Sequence, residues 1–117
     1  LRSAAERVRY GSLSPQETRL RLALEDAGLP PCEPNYRIEG RDGRVGAMID
    51  LAFPSYQVAV EYLGDHHRAT AAAYRKDIER REWLADRGWY VVFVTGGDDF
   101  ADAARRVRVA LRRAAGK

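Results

Sequence analysis

Residues 48–63 read MIDLAFPSYQVAVEYL, and their pattern decides the fold. Two arms alternate in hydropathy around Pro54 and Ser55, which punctuate a turn, so the stretch predicts a two-stranded hairpin. With the hairpin centre between Ser55 and Tyr56, Phe53 faces Val58, Leu51 faces Val60 and Ile49 faces Tyr62, so one side of the ribbon is continuously apolar. The same register sets Asp50 opposite Glu61 on the other side, with Met48, Ala52, Ala59 and Leu63 around them. Directly opposed residues have Cβ atoms roughly 5 Å apart, and like charges there destabilise a sheet. A cation between the carboxylates turns that repulsion into a site, and carboxylate oxygens suit Mg²⁺ or Mn²⁺. The other reading is an edge ribbon whose acidic side faces water.

Around this hairpin, 117 residues fit a single domain with one core, spanning residues 1–117. Charged residues make up 32% and apolar residues 45%, the balance of an ordinary globular chain. No apolar run approaches the roughly 20 residues that span a bilayer, so no membrane partner is expected. The opening LRSAAERVRY is charged and lacks a signal-peptide pattern. One cysteine, Cys32, excludes an internal disulfide and suits a reducing cytoplasm, the expected location. Net charge is +3, and lysine occurs only at Lys76 and Lys117. Arginine is the better bidentate partner for phosphate, although arginine-for-lysine usage also follows from a GC-rich coding sequence. Because the chain begins at Leu1, residues 1–13 are expected to be an N-terminal extension, the end of a linker from an upstream domain.

Along the chain, residues 1–10 could form a short helix that Gly11 breaks. A clearer helix has Ser14 as N-cap, Pro15 in its first turn, and Leu20, Ala23, Leu24 and Ala27 at helical spacing before Gly28. Residues 35–39 alternate like a strand, and Gly40-Arg41-Asp42-Gly43 turns the chain into the next. After the hairpin a helix from about Thr70 to Arg87 is predicted, with Ala71, Tyr74, Ile78 and Ala85 as its apolar stripe. Residues 89–95, WYVVFVT, have a buried-strand pattern. A last helix, from Phe100 to about Ala114, places Ala103, Val107, Ala110 and Leu111 inward. An antiparallel meander followed by a helical crossover predicts a mixed sheet covered by helices.

This order, with Asp50, ten residues, then Glu61-Tyr62-Leu63, resembles the PD-(D/E)XK nuclease superfamily. More narrowly, SPQETRLRLALEDAGLP (14–30) and IDLAFPSYQVAVEYLGDHHR (49–68) are similar to small domains of unknown function related to very-short-patch repair endonucleases. So are Tyr74, Asp77, Arg80, Leu84, Gly88-Trp89 and VVFVT (91–95), and the likeness spans about residues 14–95. It implies an α/β fold of the α+β mixed-sheet kind: a restriction-endonuclease-like αβββαβ core with an extra C-terminal helix. It also implies Mg²⁺- or Mn²⁺-dependent cleavage of a DNA phosphodiester, with Asp50, Glu61 and the backbone carbonyl of Tyr62 holding the metal.

Other residues acquire expected roles from the resemblance. The residue two after the glutamate usually completes the site as a lysine or another polar group, yet here it is Leu63, which can neither polarise water nor bind a cation. Glu17 is expected among the catalytic residues, since an acidic residue on the first helix often reaches the metal. Locally, Ser14-x-x-Glu17 is also a capping box, and the two roles are compatible. His67 is expected to relay a proton, and His66, Arg68, Lys76 and Arg80 to contact DNA. The alternatives are a solvated histidine pair, an exposed helix lysine and a surface ion pair between Asp77 and Arg80 or Arg81. Cys32, His66 and His67 lack zinc-ligand spacing. Arg105, Arg106, Arg108, Arg112 and Arg113 form either a basic DNA-facing helix or a solvated outer face.

Three functions follow as expectations. The first is a Mg²⁺-dependent DNA endonuclease. The second is a nuclease-derived DNA-binding or regulatory module with weakened or lost chemistry, favoured by Leu63. The third is a metal-dependent hydrolase of another substrate working through His66 or His67.

Overall fold

Tyr56 N–H donates to the Phe53 carbonyl at 3.0 Å, and Gln57 N–H to the Pro54 carbonyl at 3.2 Å, closing the turn predicted at Pro54–Ser55. Gln57 takes a left-handed conformation (φ 53°) as the chain re-enters the second arm. The pairs Phe53↔Val58, Ala52↔Ala59 and Leu51↔Val60 then form in the predicted register.

The structure is a computed structural model that describes residues 14–40, 45–63 and 70–116. Its elements are α1 (Pro15–Asp26), β1 (Glu33–Glu39), β2 (Val45–Phe53), β3 (Val58–Leu63), α2 (Ala71–Asp86), β4 (Tyr90–Thr95) and α3 (Phe100–Ala115). The helix expected at residues 1–10, most of the turn at 40–43 and the histidine loop lie outside the described residues. The sheet runs β1-β2-β3-β4, with the first three strands antiparallel and β4 parallel to β3 through the α2 crossover. This is the expected mixed α+β arrangement, an αβββαβ core with one further helix. Among the described residues no helix is long and apolar enough to cross a membrane.

Helices cover both sheet faces because both are apolar. On one, Leu20 and Leu24 of α1 and Ala103, Val107 and Leu111 of α3 pack on Leu51, Phe53, Val58, Val60, Val92 and Val94. The α3 residues are those the helical spacing selected. Arg108 ties the layer together by donating to the Ala27 carbonyl at 2.5 Å, at the end of α1. On the other face, Leu84 of α2 meets Ala47, Ile49, Ala52, Ala59 and Trp89. Ser14, Thr70 and Asp99 cap the three helices, each accepting from a first-turn backbone N–H.

Three expectations need correction. Ile49 does not share a side with Leu51 and Phe53; it lies in the core on the α2 face, and Met48 is exposed rather than beside the carboxylates. The reversal falls where the β1/β2 register passes from Pro34↔Leu51 to Tyr36↔Ile49, skipping Asn35 and Asp50. Asn35, on β1 at this point, has φ 52°, a left-handed conformation that interrupts the alternation of its own strand beside Asp50.

The stripe predicted for α2 is also displaced. Ala71, Tyr74 and Ala85 are exposed, and Leu84 is the buried residue of the helix. Its inner face carries Asp77 and Arg80 because it overhangs a cleft rather than the core. Finally, β4 is less enclosed than its apolar run suggests. Val92 and Val94 are buried, Val91 and Phe93 are half-buried, and Tyr90 is exposed.

Candidate functional site

At Asp50 and Glu61 the β2/β3 ladder gives way to side chains. Asp50 N–H donates to Glu61 Oε2 at 3.0 Å, and Tyr62 N–H donates to Asp50 Oδ2 at 2.9 Å. Each carboxylate thus fills a place that a strand carbonyl would fill in a continuous ladder. The exchange fixes both groups to backbone rather than to flexible side chains. Glu61 is 5% exposed and Asp50 half-buried.

The electrostatics follow from this confinement. The carboxyl of Asp50 is pushed up to about 7 from its ordinary 3.8, first by burial and then by the charge of Glu61. The Tyr62 N–H opposes the shift, while the Glu17 charge and a carboxyl–carboxyl hydrogen bond with Glu61 add to it. Glu61 has a cationic neighbour. Arg80 Nη2 donates to Glu61 Oε1 and to the Met48 carbonyl, joining α2 to both strands.

These groups border a cleft of about 320 Å³ under α2. Glu17, Asp50, Glu61 and Asp77 supply its acid, Arg80 and Arg81 its base, and Leu63, Leu84, Val91 and Phe93 its apolar wall. The Arg81 guanidinium lies 5.7 Å from the centre of the Phe93 ring. Two uncharacterized proteins of Mycobacterium tuberculosis are similar to this chain: MT2308 from strain CDC 1551 / Oshkosh and Rv2248 from strain ATCC 25618 / H37Rv. Each is 33% identical over 85 residues, covering 73% of this chain and 31% of the relative. The chain therefore spans about a third of the length of the curated relatives it matches. No family model matches the chain, and no solved structure does.

The structure sorts the expected site residues. Asp50 and Glu61 come together as the register required. Glu17 completes the expected capping box, its Oε1 accepting from Ser14 N–H at 2.8 Å, and it also lines the cleft. Tyr62 meets Asp50 through its N–H, and its ring stands edge-on to Phe100 at 6.5 Å. Leu63 is buried in the cleft wall beside the carboxylates. Arg80, expected on DNA, points inward to Glu61 because a buried carboxylate is the stronger partner. Lys76 is exposed and does not line the cleft. His66, His67 and Arg68 lie outside the described residues. Arg81, like Asp77, is a cleft residue that the sequence reads as a surface ion-pair partner. Positions 77, 80, 81 and 84 follow helical spacing, so a search for a charged stripe on α2 would have found it.

Among the described residues no group of three or more His, Cys, Asp or Glu side chains is set to hold a metal. The donors that are present fit Mg²⁺, a hard cation that needs only one or two carboxylates and completes its shell with water and phosphate oxygens. The like charge that raises Asp50 is the repulsion that such a cation relieves.

Proposed function

We propose that this domain is a Mg²⁺-dependent DNA endonuclease of the PD-(D/E)XK type, acting by phosphodiester hydrolysis in the cytoplasm. The observation that carries this reading is the reciprocal exchange between Asp50 and Glu61, two carboxylates fixed to backbone at the floor of a cleft.

Asp50 and Glu61 would hold the ion, with the Tyr62 carbonyl as the further donor that the family resemblance implies. When bound, Mg²⁺ supplies a water of lowered pKa and charge neutralisation at the phosphate. The chain's own residues do the positioning. The backbone N–H groups of Asp50 and Tyr62 orient the two carboxylates, and Arg80, which holds Glu61 Oε1, would yield that oxygen to the ion. Arg81, at the cleft wall, offers a guanidinium to a phosphate oxygen. Leu63 moves no proton, so orientation of the water would fall to the carboxylates and the substrate phosphate.

The test is nicking of supercoiled plasmid by the purified chain in Mg²⁺ or Mn²⁺. Cleavage that disappears in Asp50→Ala is expected, and no cleavage of any DNA form in either metal sinks the proposal. A second reading, a nuclease-derived DNA-binding module with weakened or lost chemistry, is favoured by Leu63 and by the Arg80–Glu61 pair. DNA binding unchanged in Asp50→Ala, without cleavage and without divalent-metal binding, selects it.

A further inference from the structure

On the outer side of β4 runs a second depression of about 330 Å³, between the strand and α3. Its lining includes Tyr90, Val91, Phe93, Arg105, Arg106 and Arg113. Val91 and Phe93 also line the carboxylate cleft, so the two hollows meet across the edge of β4. The first is acidic at its floor and the second is bordered by three guanidinium groups. Tyr90 is 56% exposed, an aromatic surface at the end of the groove away from Phe93.

We infer that this groove binds a single nucleic-acid strand leading from the cleft. The inference takes its ligand class from the proposed function and goes beyond it by naming the track and the strandedness. A groove that carries positive charge along a backbone and offers an aromatic face is how single strands are held without base readout. The exposed Tyr90 ring points the same way, since a base stacks on an aromatic side chain when it is free of a duplex. The arginines are available for the exchange. Arg105 is held by Asp102 at 2.5 Å in a pair with both side chains about half or more exposed, and Arg106 lies 3.7 Å from Asp98. Exposed pairs of this kind contribute little, so a phosphate displaces the carboxylate at small cost. Arg106 also donates to the Phe93 carbonyl at 2.6 Å, which holds its guanidinium at the junction of groove and cleft.

The experiment measures binding of a fluorescent single-stranded 12-mer by anisotropy at several salt concentrations. Wild type, Arg105→Glu/Arg113→Glu, Arg105→Lys/Arg113→Lys and Tyr90→Ala are compared, with the matching duplex and poly-glutamate as competitors. The double glutamate variant should lose at least tenfold in affinity, with a shallower salt dependence by about 1.4 in log–log slope for two lost phosphate contacts. Tyr90→Ala should lose on the order of tenfold through stacking, and the double lysine variant should stay within about threefold of wild type. Hydrolysis of bis(p-nitrophenyl) phosphate in Mn²⁺ reads the cleft separately, because that substrate is too short to use the groove. It should survive in the groove variants and vanish in Asp50→Ala. Unchanged strand binding in the double glutamate variant overturns the inference, as does competition by duplex or poly-glutamate equal to that by the single strand. Hydrolysis absent from wild type, with groove-dependent strand binding intact, overturns the nuclease reading and leaves the groove.

Discussion

The Arg80 guanidinium donates to Glu61 Oε1 from the helix above, so a protein cation sits on one of the two carboxylates that the proposed function assigns to Mg²⁺. Glu61 is buried, and a buried carboxylate without a counter-charge is costly.

Arg80→Ala should therefore destabilise the metal-free protein by about 1–3 kcal/mol, less than for a fully buried pair because Arg80 is partly exposed. Mg²⁺ should restore part of that loss. Thermal unfolding with and without Mg²⁺ is the check, and the metal-induced rise in Tm should be larger in Arg80→Ala than in wild type. Equal shifts in both would show that Arg80 and the ion do not share a position.

Asp50 gives a pH dependence of definite sign. Its folded-state pKa of about 7 lies above the ordinary 3.8, so between those values the folded chain holds more protons than the unfolded one. Stability from this group is thus greatest below about pH 4 and falls as pH rises towards 7. Asp50→Asn, which can still accept from the Tyr62 N–H, should remove that slope and stabilise the metal-free protein at pH 8 by on the order of 2 kcal/mol. Urea unfolding at pH 5 and pH 8 measures both effects, and a variant less stable than wild type at pH 8 would contradict them.

Leu63 lines the cleft beside the carboxylates, where a lysine ammonium would reach the attacking water. Leu63→Lys should raise plasmid nicking by about tenfold, within the range that acid–base groups contribute. The same change should lower Tm, because an apolar wall position becomes charged. Nicking unchanged in a folded variant would place water activation elsewhere.

Asn35→Val addresses the face reversal. A β-branched residue at φ 52° is strained, so the variant should lose about 1–2 kcal/mol. Because Asn35 and Asp50 fall at the same step of the β1/β2 ladder, Mn²⁺ affinity measured by calorimetry should fall with stability. Asn35→Gly, which accepts the conformation, should keep the affinity.

Much of this fold is written in local pattern. The hairpin register follows from the alternation on either side of Pro54–Ser55, and α3 from one clean apolar stripe. The reversal at Asn35 is not, since asparagine tolerates left-handed backbone better than other non-glycine residues yet adopts it at only a minority of its positions. The α2 face escapes the apolar pattern for a different reason. A search for apolar spacing selects Tyr74 over Asp77, whereas a helix that roofs an acidic cleft turns its charged stripe inward. The pairing of Asp50 with Glu61 was legible. Their exchange of backbone bonds was not, because it depends on the ladder ending at Leu51 and Val60.

The outer edge of β4 carries a consequence of its own. YVVFVT is apolar, β-branched and uncharged, the composition of a segment that stacks with copies of itself. Asp98 accepts from the Thr95 N–H at 2.7 Å, and Arg106 donates to the Phe93 carbonyl. Backbone groups held this way are not offered to a strand of another molecule. Towards Thr95 the edge finishes in side chains, which shortens the row of backbone groups that its most self-adhesive strand could offer to an ordered aggregate.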